Sequence, residues 1–296
     1  MSLVKNLFHV SLQENHYEEA LDFYCNKLGF EQMFELNVGQ FKDMLRLGEQ
    51  TEEDSMQWLT YLRIAPEEYL ELFNGVINPP EFKKEKILQH DDTVFESYTL
   101  GCDNLENVKK RLEEKGVQVI ENCIKDPCGC KIRMIERLGH PSEKERLFHS
   151  LAGISLYANK NNPEKMEKHL QAMSFVTEEK SQDRIRLTVG ECGQFLELIK
   201  APCPVKVYDD DLLGHFALQI YSIKETVKAW GKNGVYCCPQ PFKREVQVPA
   251  DDTANGNLGL DGCEIIWMIC PEGNKVEVMV QPGDTTQQQW ERENRY

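Results

Sequence analysis

Two histidine–glutamate pairs in this chain share one spacing: His9 and Glu71 lie 62 residues apart (71 − 9), and so do His215 and Glu277 (277 − 215). Imidazole nitrogens and carboxylate oxygens are ordinary ligands of divalent cations, and a carboxylate is also a base able to carry a proton. Each histidine stands in a short alternating segment, "LFHVSLQ" around His9 and "GHFALQI" around His215. Each glutamate stands between apolar residues, in "YLELF" and "KVEVM". A lone histidine in a half-buried strand is more often a hydrogen-bonded core residue than a ligand. What the four residues do therefore depends on whether the fold brings them together.

Four segments of the chain follow one plan. Each begins with a short alternating strand, "FHVSLQ" (8–13), "ESYTLGC" (96–102), "AGISLYA" (152–158) and "GHFALQI" (214–220), and each strand precedes a helix with apolar residues on one face. In "YEEALDFYCNKLGF" that face is Tyr17, Ala20, Leu21, Tyr24 and Leu28; in "NLENVKKRLEEKGV" it is Leu105, Val108 and Leu112. "NPEKMEKHLQAMSF" carries Pro163 near its start, and "SIKETVKAWGKNGV" offers Ser222 as an N-cap with Glu225 three residues on. Three helices end in Gly29, Gly116 and Gly234 and the remaining one in Ser174, where a left-handed cap is expected. From the first-strand position (His9, Ser97, Gly153, His215) to the apolar residue after the cap (Phe30, Val117, Phe175, Val235) the separations are 21, 20, 22 and 20 (30 − 9, 117 − 97, 175 − 153, 235 − 215). Strand-like runs follow: "MLRLG", "WLTYLRI" and "YLELFNG"; "KIRMIER"; "IRLTVG" and "QFLELIKAP"; "EIIWMIC" and "KVEVMVQP". The expectation is an α+β chain of four βαβββ units, one pair over 1–142 and a second over 148–282, with "HPSEKERLF" (140–148) between them and a polar tail at 283–296.

Four βαβββ units with a polar residue on the first strand and a carboxylate on the last resemble the vicinal oxygen chelate superfamily, the glyoxalase, bleomycin-resistance and extradiol dioxygenase group. "FYCNKLGF" (23–30) and "CPEGNKVEVMV" (270–280) carry most of the resemblance, which spans roughly residues 4–282. It implies two cupped mixed sheets, each built by two units, with a divalent metal on the concave side. Pairing the first unit with the fourth would gather His9, Glu71, His215 and Glu277, the ligand pattern of glyoxalase I. Two neutral imidazoles and two carboxylates balance a dication and leave open positions on an octahedral metal. The implied cofactor is one divalent ion, zinc, nickel, cobalt or manganese, and the implied reaction moves a proton next to a carbonyl of a small α-oxo substrate or its thiol adduct. Either Glu277 or Glu71 would be the catalytic base. Pairing in chain order would instead split the set, and an extradiol-type dioxygenase using ferrous iron, with two histidines and one glutamate, would then need a histidine where Gly153 stands. A drug-sequestering binding protein of the same fold, lined by Trp58, Tyr61 and Trp267, needs no metal. In the second and third units the equivalent positions are Ser97, Arg133, Gly153 and Glu197, where Arg133 and Glu197 are expected to pair across a lost site.

Charge and cysteine usage fit these expectations. With 34 Lys+Arg against 49 Asp+Glu the net charge is −15, which disfavours nucleic acid and anionic membrane surfaces and points to a small-molecule partner. No apolar run reaches membrane-spanning length and no signal-peptide core is seen, so a cytoplasmic protein is expected. Four units in one chain suffice for a monomer, and the sequence leaves the oligomeric state open. The 11 cysteines are an odd number. The tight group Cys123, Cys128 and Cys130 lacks paired zinc-binding elements and is expected to form a turn, and the Cys237–Cys238 pair is likewise expected to be structural. The other histidines, His16, His90, His140, His149 and His169, are expected at the surface.

Overall fold

The chain begins with an alternating strand, and that strand becomes the middle of a sheet. The computed structural model describes residues 3–40, 55–75, 95–137, 146–159, 163–201, 215–238, 248–249, 257–258, 263–270, 275–282 and 293. The stretch "MLRLG" therefore lies outside the described residues, as do His90, His140, most of the 140–148 connection and nearly all of the tail.

The first unit comprises β1 (Val4–Glu14), α1 (Tyr17–Asp22), β2 (Glu31–Asn37), β3 (Gln57–Ala65) and β4 (Glu68–Asn74). Helix α1 runs on into a π-helical segment, Phe23–Leu28, in which Phe23, Tyr24 and Leu28 are buried in the core. The second unit has β5 (Phe95–Cys102), α2 (Leu105–Glu114), β6 (Cys123–Lys125) and β7 (Lys131–Glu136). The third has β8 (Ser150–Asn159), α3 (Pro163–Ala172), β9 (Val176–Lys180), β10 (Arg184–Val189) and β11 (Gln194–Ala201). The fourth has β12 (Phe216–Ile220), α4 (Ile223–Gly231), β13 (Tyr236–Cys238), β14 (Val248–Pro249), β15 (Asn257–Leu258), β16 (Glu264–Ile269) and β17 (Lys275–Val280).

Local chemistry explains the joints. Ser222 accepts the Glu225 N–H at 3.3 Å and caps α4, and Asn104 does the same for α2 through the Asn107 N–H at 2.8 Å. The helix exits at Gly29, Gly116 and Gly234 have φ of 80°, 75° and 80°, and Ser174 adopts φ 73° in the matching place. Ser174 holds that unfavourable backbone with its hydroxyl accepting from Trp230 Nε1 at 3.1 Å.

The units assemble as two mixed sheets of repeating βαβ-type units, each sheet drawing on both halves of the chain. The larger sheet runs β14-β13-β16-β17-β12-β1-β4-β3-β2, with β15 added on β16; the smaller runs β6-β7-β5-β8-β11-β10-β9. The first unit is thus joined to the fourth and the second to the third. At the centre of the larger sheet β1 and β12 are antiparallel, β4 lies parallel to β1 and β17 parallel to β12. Leu70, Leu72, Val276 and Val278 are fully buried in the main core. In a strand the residues between them must point the other way, which sends Glu71 and Glu277 to the face away from that core.

Candidate metal centre

Strand register brings the four expected residues together. His9 sits opposite Ala217 on β12, Ala217 opposite Glu277 on β17, and Ser11 opposite Glu71 on β4. The Ser11 N–H donates to the His215 carbonyl at 2.9 Å, which places His215, just before β12, beside Ser11. Each of the four strands at the centre of the sheet therefore contributes at or next to one end of the cluster, and one donor atom from each of His9, Glu71, His215 and Glu277 lies within 4.8 Å of all the others.

The cluster has the dimensions of a coordination shell. His9 Nε2 and His215 Nε2 are 3.2 Å apart, and His215 Nε2 is 2.9 Å from Glu277 Oε2. His9 Nε2 is 3.4 Å from Glu71 Oε2 and 3.5 Å from Glu277 Oε2, and His215 Nε2 is 3.7 Å from Glu71 Oε2. Ligands held about 2.1 Å from a cation are separated by about 3.0 Å at right angles and by about 3.4 Å at the tetrahedral angle. The observed edges fall around those values, so the donor set fits a single divalent ion.

Neighbouring groups orient the donors. His9 Nδ1 is 2.8 Å from the hydroxyl of Tyr61, itself stacked on Phe34 with ring centroids 5.0 Å apart. Burial, then the charges of Glu71 and Glu277, push the Tyr61 phenol well above its ordinary 10, so the hydroxyl stays neutral. With Tyr61 accepting from the Nδ1–H, the Nε2 lone pair of His9 faces the cluster, the tautomer that ligation requires. Ser11 donates a short hydrogen bond to Glu71 Oε2 and lies 3.1 Å from His215 Nε2. Trp267 packs edge-on against His215 at 4.7 Å.

The electrostatics match. Burial opposes a charge on His9, but the charge of Glu71 and the contact with Glu277 outweigh it and raise its pKa above 6.5. Burial likewise opposes a charge on Glu277, yet hydrogen bonds from His215 and His9 and their charges hold its carboxyl down at about 2. Glu277 is 7% exposed at its side chain and Glu71 13%, so the carboxylate on β4 has the freer end.

The smaller sheet holds a different arrangement at the equivalent place. Glu197, 2% exposed at its side chain, accepts from Arg133 Nη1 at 3.1 Å, from Arg186 Nε at 3.0 Å and Nη2 at 2.6 Å, and from Arg184 at 3.4 Å. Arg133 also reaches Glu96 at 3.0 Å. The expected Arg133–Glu197 pair is present, and guanidinium groups stand where a cation would. Gly153 faces Phe195 so closely that an added Cβ would fall 2.6 Å from its ring.

Ser11 and Tyr61 were not singled out in the sequence as site residues. Ser11 carried a signal, since it lies two residues from His9 on the same strand face; Tyr61 becomes a partner only through the β3–β4 register that sets it opposite Glu71. Of the aromatics expected to line the cup, Tyr61 and Trp267 flank the ligands, whereas Trp58 is buried against Phe73 at 5.3 Å. The expectation that His149 is a surface residue is corrected: it is 3% exposed, because it enters β8 against β5, its N–H bonded to Gly101 and its Nε2 3.1 Å from Asp103 Oδ1. His169 is half-buried and burial alone lowers its pKa to about 4; His16 is exposed. Cys123, Cys128 and Cys130 form no disulfide, and Cys237 is buried in the main core. The 126–130 segment is a turn in which Asp126 Oδ1 accepts the Cys130 N–H at 2.7 Å.

Among the described residues, no helix is long and apolar enough to cross a membrane. The sequence model of the Glyoxalase/Bleomycin resistance protein/Dioxygenase superfamily matches residues 6–136. No curated protein matches the chain. Glyoxalase I from Zea mays superposes with a TM-score of 0.64 at 14% identity, covering 98% of this chain and 97% of its own. A candidate dioxygenase from Bacillus subtilis gives 0.63 at 16% identity, covering 98% and 91%. At these identities the likeness is one of fold.

Proposed function

We propose that this chain, whose residues 6–136 match the glyoxalase/bleomycin resistance protein/dioxygenase superfamily, is a divalent-metal-dependent lyase or isomerase of glyoxalase I type, shifting a proton beside a carbonyl of a small α-oxo compound or its thiol adduct. The observation that carries the proposal is the convergence of two imidazoles and two carboxylates within 4.8 Å on one face of the larger sheet. The fourth donor favours this chemistry over ring cleavage by a centre of two histidines and one glutamate.

His9, His215, Glu71 and Glu277 would hold the ion. Bound there, a dication would act as a Lewis acid on the substrate carbonyl and stabilise negative charge as the neighbouring C–H ionises. Glu277, clasped by both histidines at 2.9 and 3.5 Å, serves as the fixed ligand. Glu71 stands farther from His215, at 3.7 Å against 2.9 Å for Glu277, has the more exposed side chain, and is the base that takes the proton from one carbon and returns it to the next. Tyr61 keeps His9 in its ligating tautomer, Ser11 orients Glu71, and Tyr61, Trp267 and Phe34 give the cup an aromatic wall that limits water at the reacting carbon.

The test is metal content of the purified chain after dialysis against nickel, zinc, cobalt or manganese, compared with a His9→Ala/His215→Ala double variant, followed by assay on hemithioacetals of small 2-oxoaldehydes. About one equivalent per chain that disappears in the variant, with turnover lost in Glu71→Gln, is expected. Equal metal content in both proteins would end the proposal.

A further inference from the structure

We propose that Gln194, which belongs to the opposite sheet, is a positioning residue for this centre: its carboxamide holds the bulge in β1 that aims His9, a role that rests on the metal-site reading above. The β1–β12 ladder pairs Leu7 with Leu218 and His9 with Ala217, so one step along β12 matches two along β1 and Phe8 is extra. A bulge of this kind redirects side chains. Its effect here is that Phe8 and His9, neighbours in sequence, both turn to the face of the metal cluster with ring centroids 5.6 Å apart, while Leu7 and Val10 stay in the main core.

Gln194 meets β1 at that irregularity. The Leu7 N–H donates to Gln194 Oε1 at 2.6 Å, and Gln194 Nε2 donates to the Leu7 carbonyl at 3.1 Å. The side-chain amide thus gives Leu7 the same donor–acceptor pair that a neighbouring strand would. The same Nε2 reaches the Leu151 carbonyl on β8 at 2.9 Å and Glu68 Oε1 at 3.0 Å. Glu68 opens β4 three residues before Glu71, and its other oxygen accepts the Leu151 N–H. One fully buried carboxamide therefore ties together the strand of His9, the strand of Glu71 and the central strand of the other sheet. Next to it the β10–β11 turn presses on β1: the Glu191 N–H donates to the Lys5 carbonyl at 3.0 Å, and Gly190, at φ 67°, leaves room for that carbonyl where a Cβ would lie 2.5 Å away.

Only a group that donates and accepts at once fills this place. Glutamate would keep the acceptor for Leu7 N–H and lose the paired donors; methionine would keep the volume and lose both. The test uses the full chain loaded with cobalt(II), whose ligand-field absorption reports the geometry of its donors, together with chelator competition for affinity. Gln194→Met is expected to weaken cobalt binding about 10–100-fold, the range found for groups that orient metal ligands, and to shift the absorption bands; Gln194→Glu is expected to fall between it and the wild type. Should Gln194→Met not fold, Gln194→Glu carries the same comparison. Wild-type bands and affinity in a folded Gln194 variant would make the residue a structural tie only and overturn the proposal. A wild-type chain without stoichiometric cobalt, or His9→Ala with unaltered bands, would overturn it together with the metal-site reading, so the two failures are told apart.

Discussion

Removing one oxygen atom from Tyr61 isolates the orientation of His9 from everything else in the cup. In Tyr61→Phe the ring keeps its stack on Phe34, at 5.0 Å and 8° between planes, and its contact with Tyr69 at 5.3 Å. What disappears is the 2.8 Å hydrogen bond to His9 Nδ1. Both groups are buried, Tyr61 to 3% and His9 to 1% exposure, so water does not replace the lost acceptor. An orphaned buried donor costs about 1–3 kcal/mol, and since about 1.4 kcal/mol is a factor of ten, a loss paid by the metal-bound state alone gives an affinity about 5–150-fold weaker. The range for groups that orient metal ligands, about 10–100-fold, is independent of that arithmetic and overlaps it. The assay is competition for zinc or cobalt against a chromophoric chelator at constant pH, with thermal melts of the metal-free proteins alongside to separate a general loss of stability. Binding within about threefold of wild type would refute the reasoning, because it would mean that His9 does not need its Nδ1 proton fixed and does not ligate through Nε2.

Three further perturbations probe other parts of the molecule. Glu197→Ala strips Arg133 and Arg186 of their shared carboxylate and is expected to destabilise the fold by about 3–5 kcal/mol in urea titration, with metal content unchanged. A change in metal stoichiometry would show that the two cups are not independent. Glu14 is wholly buried, and burial, then the charge of Asp126, raises its carboxyl to about 9 from 4.5. Its contribution to stability is complete below pH 4.5 and is lost as pH rises through about 9, so Glu14→Gln should flatten the fall in unfolding free energy across that window; an unchanged slope would refute the assignment. Gly190→Ala forces a Cβ to 2.5 Å from the Lys5 carbonyl at φ 67° and is expected to lower stability by about 1–3 kcal/mol, read from chemical denaturation.

The centre of the fold was legible because its residues obey one rule each. Strands that pack on one face alternate, and β4 and β17 carry Glu71 and Glu277 between the core residues Leu70 and Leu72, and Val276 and Val278. The equal His–Glu spacings then marked the two units that meet. Edge strands obey no such rule: Glu31–Asn37 and Val176–Lys180 are exposed or half-exposed along their length, and neither showed a pattern to read. The π-helical turn after α1 left no mark either, since Tyr24 and Leu28 satisfy the α-helical period equally well. Tyr61, Gln194 and His149 owe their roles to neighbours 52, 187 and 46 residues away (149 − 103 for the last), and spacing along the chain says nothing about such partners.

The seam between β1 and β12 also sets when the centre can exist. His9 and His215, 3.2 Å apart, are separated by 206 residues, so two ligands are present in the first quarter of a growing chain and the other two arrive only after the whole smaller sheet has been made. Until β12 is synthesised, β1 has an unpaired edge on the side where its partner will dock, the kind of edge that invites wrong pairings. Docking of β12 closes that edge and adds His215, and the donor set is complete once β17 lays Glu277 alongside. A chain cut short before β12 would therefore be both open-edged and half-liganded.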